Sequence, residues 1–279
     1  MVVEIYFMTI KFDGKKIRNE IIDKLQKEVA VLPKAPVLTV IWIGDDFASA
    51  RYIEAKQRAA EKIGIHFDLI KYSDNAKLTD INKRIRELNA DENVDGIMVQ
   101  IPVPKNFDMI DIISEISPDK DIDGLRFCSH LNCSFNPPVT LSIMEAIKES
   151  GINLAESKAV IIGKGFLVGD PIARLLRNKT EEIRIADRDT PYLATLTKDA
   201  DIIISATGTA NIIKPNMIKY GVVLIDAGTT ELGGKLAGDI DPKCFNKAAY
   251  YTPVPGGIGP VTVAMLMSNV VRAAKAKQN

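Results

Sequence analysis

The sequence predicts an α/β protein made of two α/β domains on mainly parallel sheets. Three observations carry that reading. Short β-rich runs alternate with helical patterns, the series restarts near residue 140, and the second series opens with a glycine turn between a strand and a helix.

The elements follow in order. "FDGKKIRNEIIDKLQKEVAVL" reads as a helix with Ile17, Ile21, Ile22 and Leu25 on one face. "APVLTVIWIG" is a buried strand, and "SARYIEAKQRAAEKIG" is a helix that Gly64 can cap. A strand ("HFDLIKYS"), a helix ("LTDINKRIRELNAD") and a third strand ("VDGIMVQIPVP") come next, then the polar loop "PDKDIDGL". From Val139 a helix leads to the strands "KAVIIG", "EIRIAD", "ADIIISATG" and "GVVLIDAG", and "PVTVAMLMSNVVRAAKAK" is the last helix. The domains are expected at 1–139, completed by the helix 260–279, and at 140–259.

Composition narrows the function. Thirty-six basic and thirty-six acidic residues cancel, so no net field draws nucleic acid or an anionic membrane. No apolar run suits a membrane span, and the three cysteines are too few for a disulfide framework, which points to a cytoplasmic protein. Two histidines argue against a Ser-His-Asp triad or a histidine-rich metal site, so acid–base work falls to Lys, Tyr or Asp and no metal is expected.

"KAVIIGKGFLVGDPIARLL" places Gly163, Gly165 and Gly169 between a strand and a helix with Pro171 in its first turn. Helix N-termini expose unpaired N–H groups, which stabilise a pyrophosphate. The second domain therefore reads as a Rossmann-type dinucleotide-binding domain. Asp187, at a strand end, suits the ribose 2′-OH of NAD, whereas Arg188 and Lys164 suit the 2′-phosphate of NADP. Two cations against one anion favour NADP, with NAD open.

In the first domain Tyr52 and Lys56 stand four residues apart on one helix face, beyond the carboxyl end of a strand. A lysine desolvated there loses its proton more easily. The same spacing also suits ordinary surface neighbours. Gln100 closes the third strand, and Asp123 follows in "DKDIDG", either at the site or as a turn before Gly124. Near the end, "TPVPGGIGPVT" alternates prolines that fix φ with glycines that free it, a bend that something must fit against.

"SARYIEAKQRAAEKIGI", "VDGIMVQIPVP", "SPDKDIDGL", "GKGFLVGDPIARLL", "GVVLIDAG", "GDID" and "TPVPGGIGPVTVAMLMSN" occur in that order. In this the chain resembles the bifunctional methylenetetrahydrofolate dehydrogenase/methenyltetrahydrofolate cyclohydrolase family over nearly its whole length. The resemblance implies a homodimer with an active-site cleft between the two domains. It implies oxidation of 5,10-methylene-tetrahydrofolate with NADP⁺, then hydrolysis of the methenyl form to 10-formyl-tetrahydrofolate, in one-carbon metabolism and purine biosynthesis. Lys56, Tyr52, Gln100 and Asp123 would be catalytic, and Ser49, Pro255, Gly256 and Gly257 would join Tyr52, Gln100 and Asp123 in binding folate. Gly163, Lys164, Gly165, Val168, Gly169, Arg188, Thr207, Gly208 and Gly228 would hold the dinucleotide.

The chain departs from that pattern in two places. Lys164 and Gly165 stand where an Arg-Ser pair is usual, and "LRFCSHLNCSFNPPVT" is shorter than the family's segment, keeping Pro137 and leaving Thr140 a poor match. A shikimate-type dehydrogenase, which shares the domain order, and a non-catalytic nucleotide sensor are the rival readings.

Overall fold

The computed structural model describes residues 9–278. In chain order the elements are β1 (Ile10–Lys11), α1 (Gly14–Val29), β2 (Val37–Ile43), α2 (Phe47–Ile63), β3 (His66–Tyr72), α3 (Leu78–Ala90), β4 (Gly96–Val99), α4 (Met109–Ile113) and α5 (Leu125–Cys128). Then follow α6 (Pro138–Ser150), β5 (Lys158–Ile162), α7 (Gly169–Leu176), β6 (Glu182–Ala186), α8 (Leu193–Thr197), β7 (Ile202–Ser205) and β8 (Val222–Asp226). A hairpin of β9 (Thr230–Leu232) and β10 (Lys235–Ala237), then β11 (Ala248–Tyr251) and α9 (Ile258–Gln278), complete the chain.

The chain divides into two compact units, Arg18–Pro138 with Val263 onward, and Val139–Thr262 with the described residues up to Ile17. The first holds a three-stranded parallel sheet in the order β3-β2-β4. β2, "VLTVIWI", is rich in β-branched residues and buried along nearly its whole length, as a strand covered on both faces requires. α2 begins at the N-cap Asp46, whose carboxylate accepts from Ser49 N at 2.7 Å, and ends at Gly64 in the left-handed region. The core joins Leu38, Val40, Met98 and Ile53 to Ala264, Met267 and Val270 of α9. Asn269, buried on α9, donates to the carbonyls of Ile122 and Asn136.

The second unit is built on a six-stranded sheet, β1-β11-β8-β7-β5-β6, in which every pairing is parallel. Strand β5 lies between β6 and β7, so the chain winds outward in both directions from β5/β7. That is the switch point at which open α/β sheets leave a crevice.

The amino-terminal segment differs from its expected place. The sequence assigns residues 1–139 to the first domain, whereas Ile10 and Lys11 pair with Tyr250 and Tyr251 at the edge of the second unit's sheet. Gly14 continues this attachment, its N–H donating to Gly256 O at 3.1 Å. No helix among the described residues is long and apolar enough to cross a membrane.

Candidate functional site

In the first unit the buried stripe of α2 runs through Ser49, Ile53, Ala60 and Ile63. Lys56 falls on that same stripe, seven residues from Ser49, so helix geometry turns its stem inward. Its Nζ donates to Gln100 Oε1 at 2.9 Å and approaches Met98 Sδ at 3.5 Å. Gln100 is buried just beyond β4, with its N–H on Ile41 O and its amide Nε2 on Ile101 O at 2.6 Å. That second bond fixes the amide so that its oxygen faces Lys56. Burial draws the Lys56 amine below its ordinary value, and nearby Asp123 opposes the shift. The same burial pushes the Asp123 carboxyl up, against the pull of Lys56. Burial thus disfavours the charged form of both groups, the ammonium of Lys56 and the carboxylate of Asp123.

Tyr52 does not join them. It is 61% exposed on the flank of α2, and Lys56 bonds to Gln100 and Met98 instead of the phenol. The spacing places the two side chains on neighbouring faces, but only Lys56 lies on the buried stripe. Ser49 is buried, one of the N-terminal residues of α2.

Asp123 is not the residue that makes the turn. Asp121 does so, accepting from Leu125 N at 3.3 Å and Arg126 N at 2.8 Å, and Gly124 takes φ +67°. Burial pushes the Asp121 carboxyl up to about 7, with Asp123 adding to the effect. An acid whose folded pKa exceeds its unfolded one lends stability that is whole below about 4 and lost as pH rises through about 7. We expect the thermal midpoint to fall by at least a few degrees between pH 5 and pH 7.5. Asp121→Asn should lessen that slope in a calorimetric pH series, the remainder staying with Asp226, whose carboxyl burial also pushes up to about 7.

In the second unit a cleft of about 630 Å³ opens at the switch point. It is lined by Gly163, Lys164 and Gly165 after β5, Asp187, Arg188 and Thr190 after β6, and Thr207 and Thr209 after β7. Gly163 takes φ +100° and lies so near the next loop that a Cβ would stand 2.5 Å from Ala206 O. Around Gly165 the space is open, with nothing within 4 Å of a Cβ. Lys164 and Arg188 are exposed. Asp187 is engaged locally, its Oδ1 accepting from Asp189 N at 3.1 Å and Thr190 Oγ1 at 2.9 Å.

The remaining candidates have other surroundings. Val168 and Gly169 begin α7 behind the turn, and a Cβ on Gly169 would lie 1.8 Å from Gly163 O. Gly228 faces the protein, where a Cβ would meet Asp239 Oδ1 at 2.0 Å, and Gly208 takes φ +66° in the β7 loop. Pro255, Gly256 and Gly257 belong to this second unit, between β11 and α9. The chain itself fits against their bend, because a Cβ on Gly14 would lie 2.0 Å from Gly257 O and 2.6 Å from Gly256 O. Thr140 is buried on α6, its hydroxyl without a partner. Sequence reading missed Asp226 and Asp239, buried acids behind the cleft, although "GDID" and "LIDAG" mark them.

Comparison with known proteins agrees with both halves. Residues 12–123 match the catalytic domain of tetrahydrofolate dehydrogenase/cyclohydrolase, and residues 137–278 match its NAD(P)-binding domain. The chain is 38% identical over 277 residues to the bifunctional protein FolD of a Nitratiruptor species, covering 95% of this chain and 98% of that protein. The crystal structure of the FolD dehydrogenase/cyclohydrolase from Campylobacter jejuni superposes with a TM-score of 0.92 at 34% identity, covering 96% of this chain and 99% of that one. The Trypanosoma brucei enzyme, crystallised with NADP cofactor and inhibitor, gives 0.88 at 30% identity, covering 96% and 98%. With both of its halves matched in order along nearly its full length, the chain belongs to the tetrahydrofolate dehydrogenase/cyclohydrolase family.

Proposed function

We propose that the protein is a bifunctional enzyme that oxidises 5,10-methylene-tetrahydrofolate to the methenyl form with NADP⁺ and hydrolyses that form to 10-formyl-tetrahydrofolate. The observation that carries the reading is the desolvated Lys56 amine, hydrogen-bonded to Gln100 beside Asp123, in a chain that also bears a dinucleotide cleft of the family's NAD(P)-binding domain. The shikimate-type alternative has no support from the family assignment.

The residues present fit the dinucleotide. The open space at Gly165 lets a phosphate come close to the backbone, and Lys164 and Arg188 offer cations at the rim. Bound there, NADP⁺ supplies the hydride acceptor. The carbon that gives up the hydride lies between two nitrogens, which delocalise the resulting charge. No protein base is needed at that step, so positioning dominates. Hydrolysis is where proton handling falls to the chain. Lys56 takes a proton from the attacking water as the C–O bond forms and returns it to the nitrogen as the C–N bond breaks, the remaining hydroxyl proton passing to solvent. Gln100 keeps the amine aimed, and Asp123 anchors the pterin. Tyr52, exposed on its flank, covers the flat ring by stacking. Pro255, Gly256 and Gly257 contribute backbone contacts to folate. We take the protein to act in the cytoplasm as a homodimer, supplying one-carbon units of the kind purine biosynthesis consumes.

The preference for NADP over NAD rests on Arg188 and Lys164, because one oxygen of Asp187 is occupied by its own turn. Arg188→Ala is expected to raise the KM for NADP⁺ about tenfold and to leave that for NAD⁺ within twofold. Equal effects on both would reassign Arg188 to a general electrostatic role. The central test mixes purified protein, methylene-tetrahydrofolate and NADP⁺ and follows methenyl and formyl products. Nucleotide binding without turnover would favour a sensor.

A further inference from the structure

Two carboxylates sit fully inside the second unit and take no part in the chemistry above. Asp239 lies in the segment between β10 and β11 and is wholly buried. Its Oδ2 accepts from Ser205 Oγ at 2.8 Å and Thr207 N at 2.6 Å, and its Oδ1 accepts from Thr209 N at 2.9 Å. Thr207 and Thr209 both line the dinucleotide cleft. Asp226, the last residue of β8, stands behind it. Asp226 Oδ1 accepts from Gly228 N at 3.0 Å and Asp239 N at 3.2 Å, and its Oδ2 from Ile240 N at 2.9 Å. Its own N–H donates to Thr252 Oγ1 at 2.7 Å, at the start of the proline–glycine bend.

The arrangement is costly enough to need a reason. A buried carboxylate is tolerated only where hydrogen bonds replace its water, and here the partners are N–H and O–H groups, none of them a cation. The glycines on either side complete the cradle, since a Cβ on Gly238 would lie 2.2 Å from Asp226 Oδ2, much as Gly228 is confined by Asp239. A helix or strand would have satisfied the N–H groups of Thr207 and Thr209 through its own ladder. In an irregular loop they need an acceptor behind, and Asp239 is that acceptor.

We infer that Asp239, steadied by Asp226, is a positioning residue for the dinucleotide: it fixes the Thr207–Thr209 loop in the shape the cofactor meets. The inference rests on the proposed NADP-dependent reading. In Asp239→Asn one carboxylate oxygen becomes an NH₂ group that must face an N–H or O–H donor, so part of the loop loses its anchor while side-chain volume is kept. Ser205→Ala removes a single donor from the same oxygen and is the milder variant.

The experiment titrates NADP⁺ calorimetrically into wild type and both variants and measures KM for NADP⁺ and for methylene-tetrahydrofolate separately. The expected result is a Kd for NADP⁺ raised about tenfold in Asp239→Asn and about threefold in Ser205→Ala. KM for NADP⁺ should rise in parallel while KM for the folate moves less than twofold. A merely structural role would lower the thermal midpoint without that split. Wild-type affinity for NADP⁺ in both variants overturns the inference, as does an equal rise in the two KM values. Should Asp239→Asn fail to fold, Ser205→Ala decides alone, and unchanged affinity there overturns it. Wild-type protein that does not bind NADP⁺ would instead sink the reading of function.

Discussion

Replacing Lys56 by methionine is expected to lower methenyl hydrolysis by at least about 100-fold, while NADP⁺ reduction continues and methenyl-tetrahydrofolate accumulates. Methionine keeps most of the stem volume against Met98 and removes only the amine. The variant should fold, because the Asp123 carboxyl that loses its neighbour is already pushed toward its neutral form by burial. Lys56→Arg sharpens the test. Arginine supplies a cation but does not shed its proton near neutral pH, so it should be as inactive as methionine if proton transfer is the role. Substantial hydrolysis in the arginine variant would mean that Lys56 acts only through its charge. The sign of the pH dependence follows from the same chemistry. Because burial lowers the Lys56 pKa, the free amine persists to lower pH than an exposed lysine allows, and hydrolysis should fall as acidification protonates it. Absorbance of the methenyl form in single-turnover runs across pH reads this directly.

The second large effect belongs to the glycine turn, where two neighbouring glycines should respond differently. Gly169→Ala places a methyl group 1.8 Å from Gly163 O and 2.7 Å from its carbonyl carbon, so either α7 or the turn must move. Overpacking of that kind costs about 1–3 kcal/mol or more, and the shifted turn should lose NADP⁺ affinity by at least about 100-fold. Gly165→Ala meets no protein atom within 4 Å and should leave the thermal midpoint alone. It should nonetheless weaken NADP⁺ binding, because the methyl group occupies the space through which a phosphate approaches the backbone. Paired thermal melts and nucleotide titrations separate the two. A destabilised Gly165→Ala, or a Gly169→Ala protein with intact affinity, would contradict the division of labour drawn from the turn.

The sequence made these residues visible to different degrees, and the difference is physical. β2, α2 and the turn at Gly163 are decided by neighbours in the chain, through β-branched runs, a cap at each end of α2, and a glycine needed at positive φ. Lys56 was legible from its place four residues after Tyr52 on a helix beyond the carboxyl end of a strand, and the structure sets it on the buried stripe of Ser49, Ile53, Ala60 and Ile63. Gln100 was singled out as well, at the end of the third strand, but not as the hydrogen-bond partner. The i, i+4 rule paired Lys56 with Tyr52, whereas Gln100 reaches it from just beyond β4. β1 escaped notice because two residues carry no periodicity and take their structure from Tyr250 and Tyr251 at the other end of the chain. Asp226 and Asp239 hide in the same way: an acid in a loop reads as solvated until the N–H groups that surround it are known.

The route of the backbone limits how this molecule can be dissected. Each half is stitched together from separate stretches, and the seams fall at Ile17/Arg18 and Thr262/Val263 inside helices and at Pro138/Val139 where α6 begins. A fragment excised as 18–138 would bare the side chains that Ala264, Met267 and Val270 cover and strand the carbonyls that Asn269 holds. Anyone transplanting the folate half into a chimaera must therefore bring the tail with it.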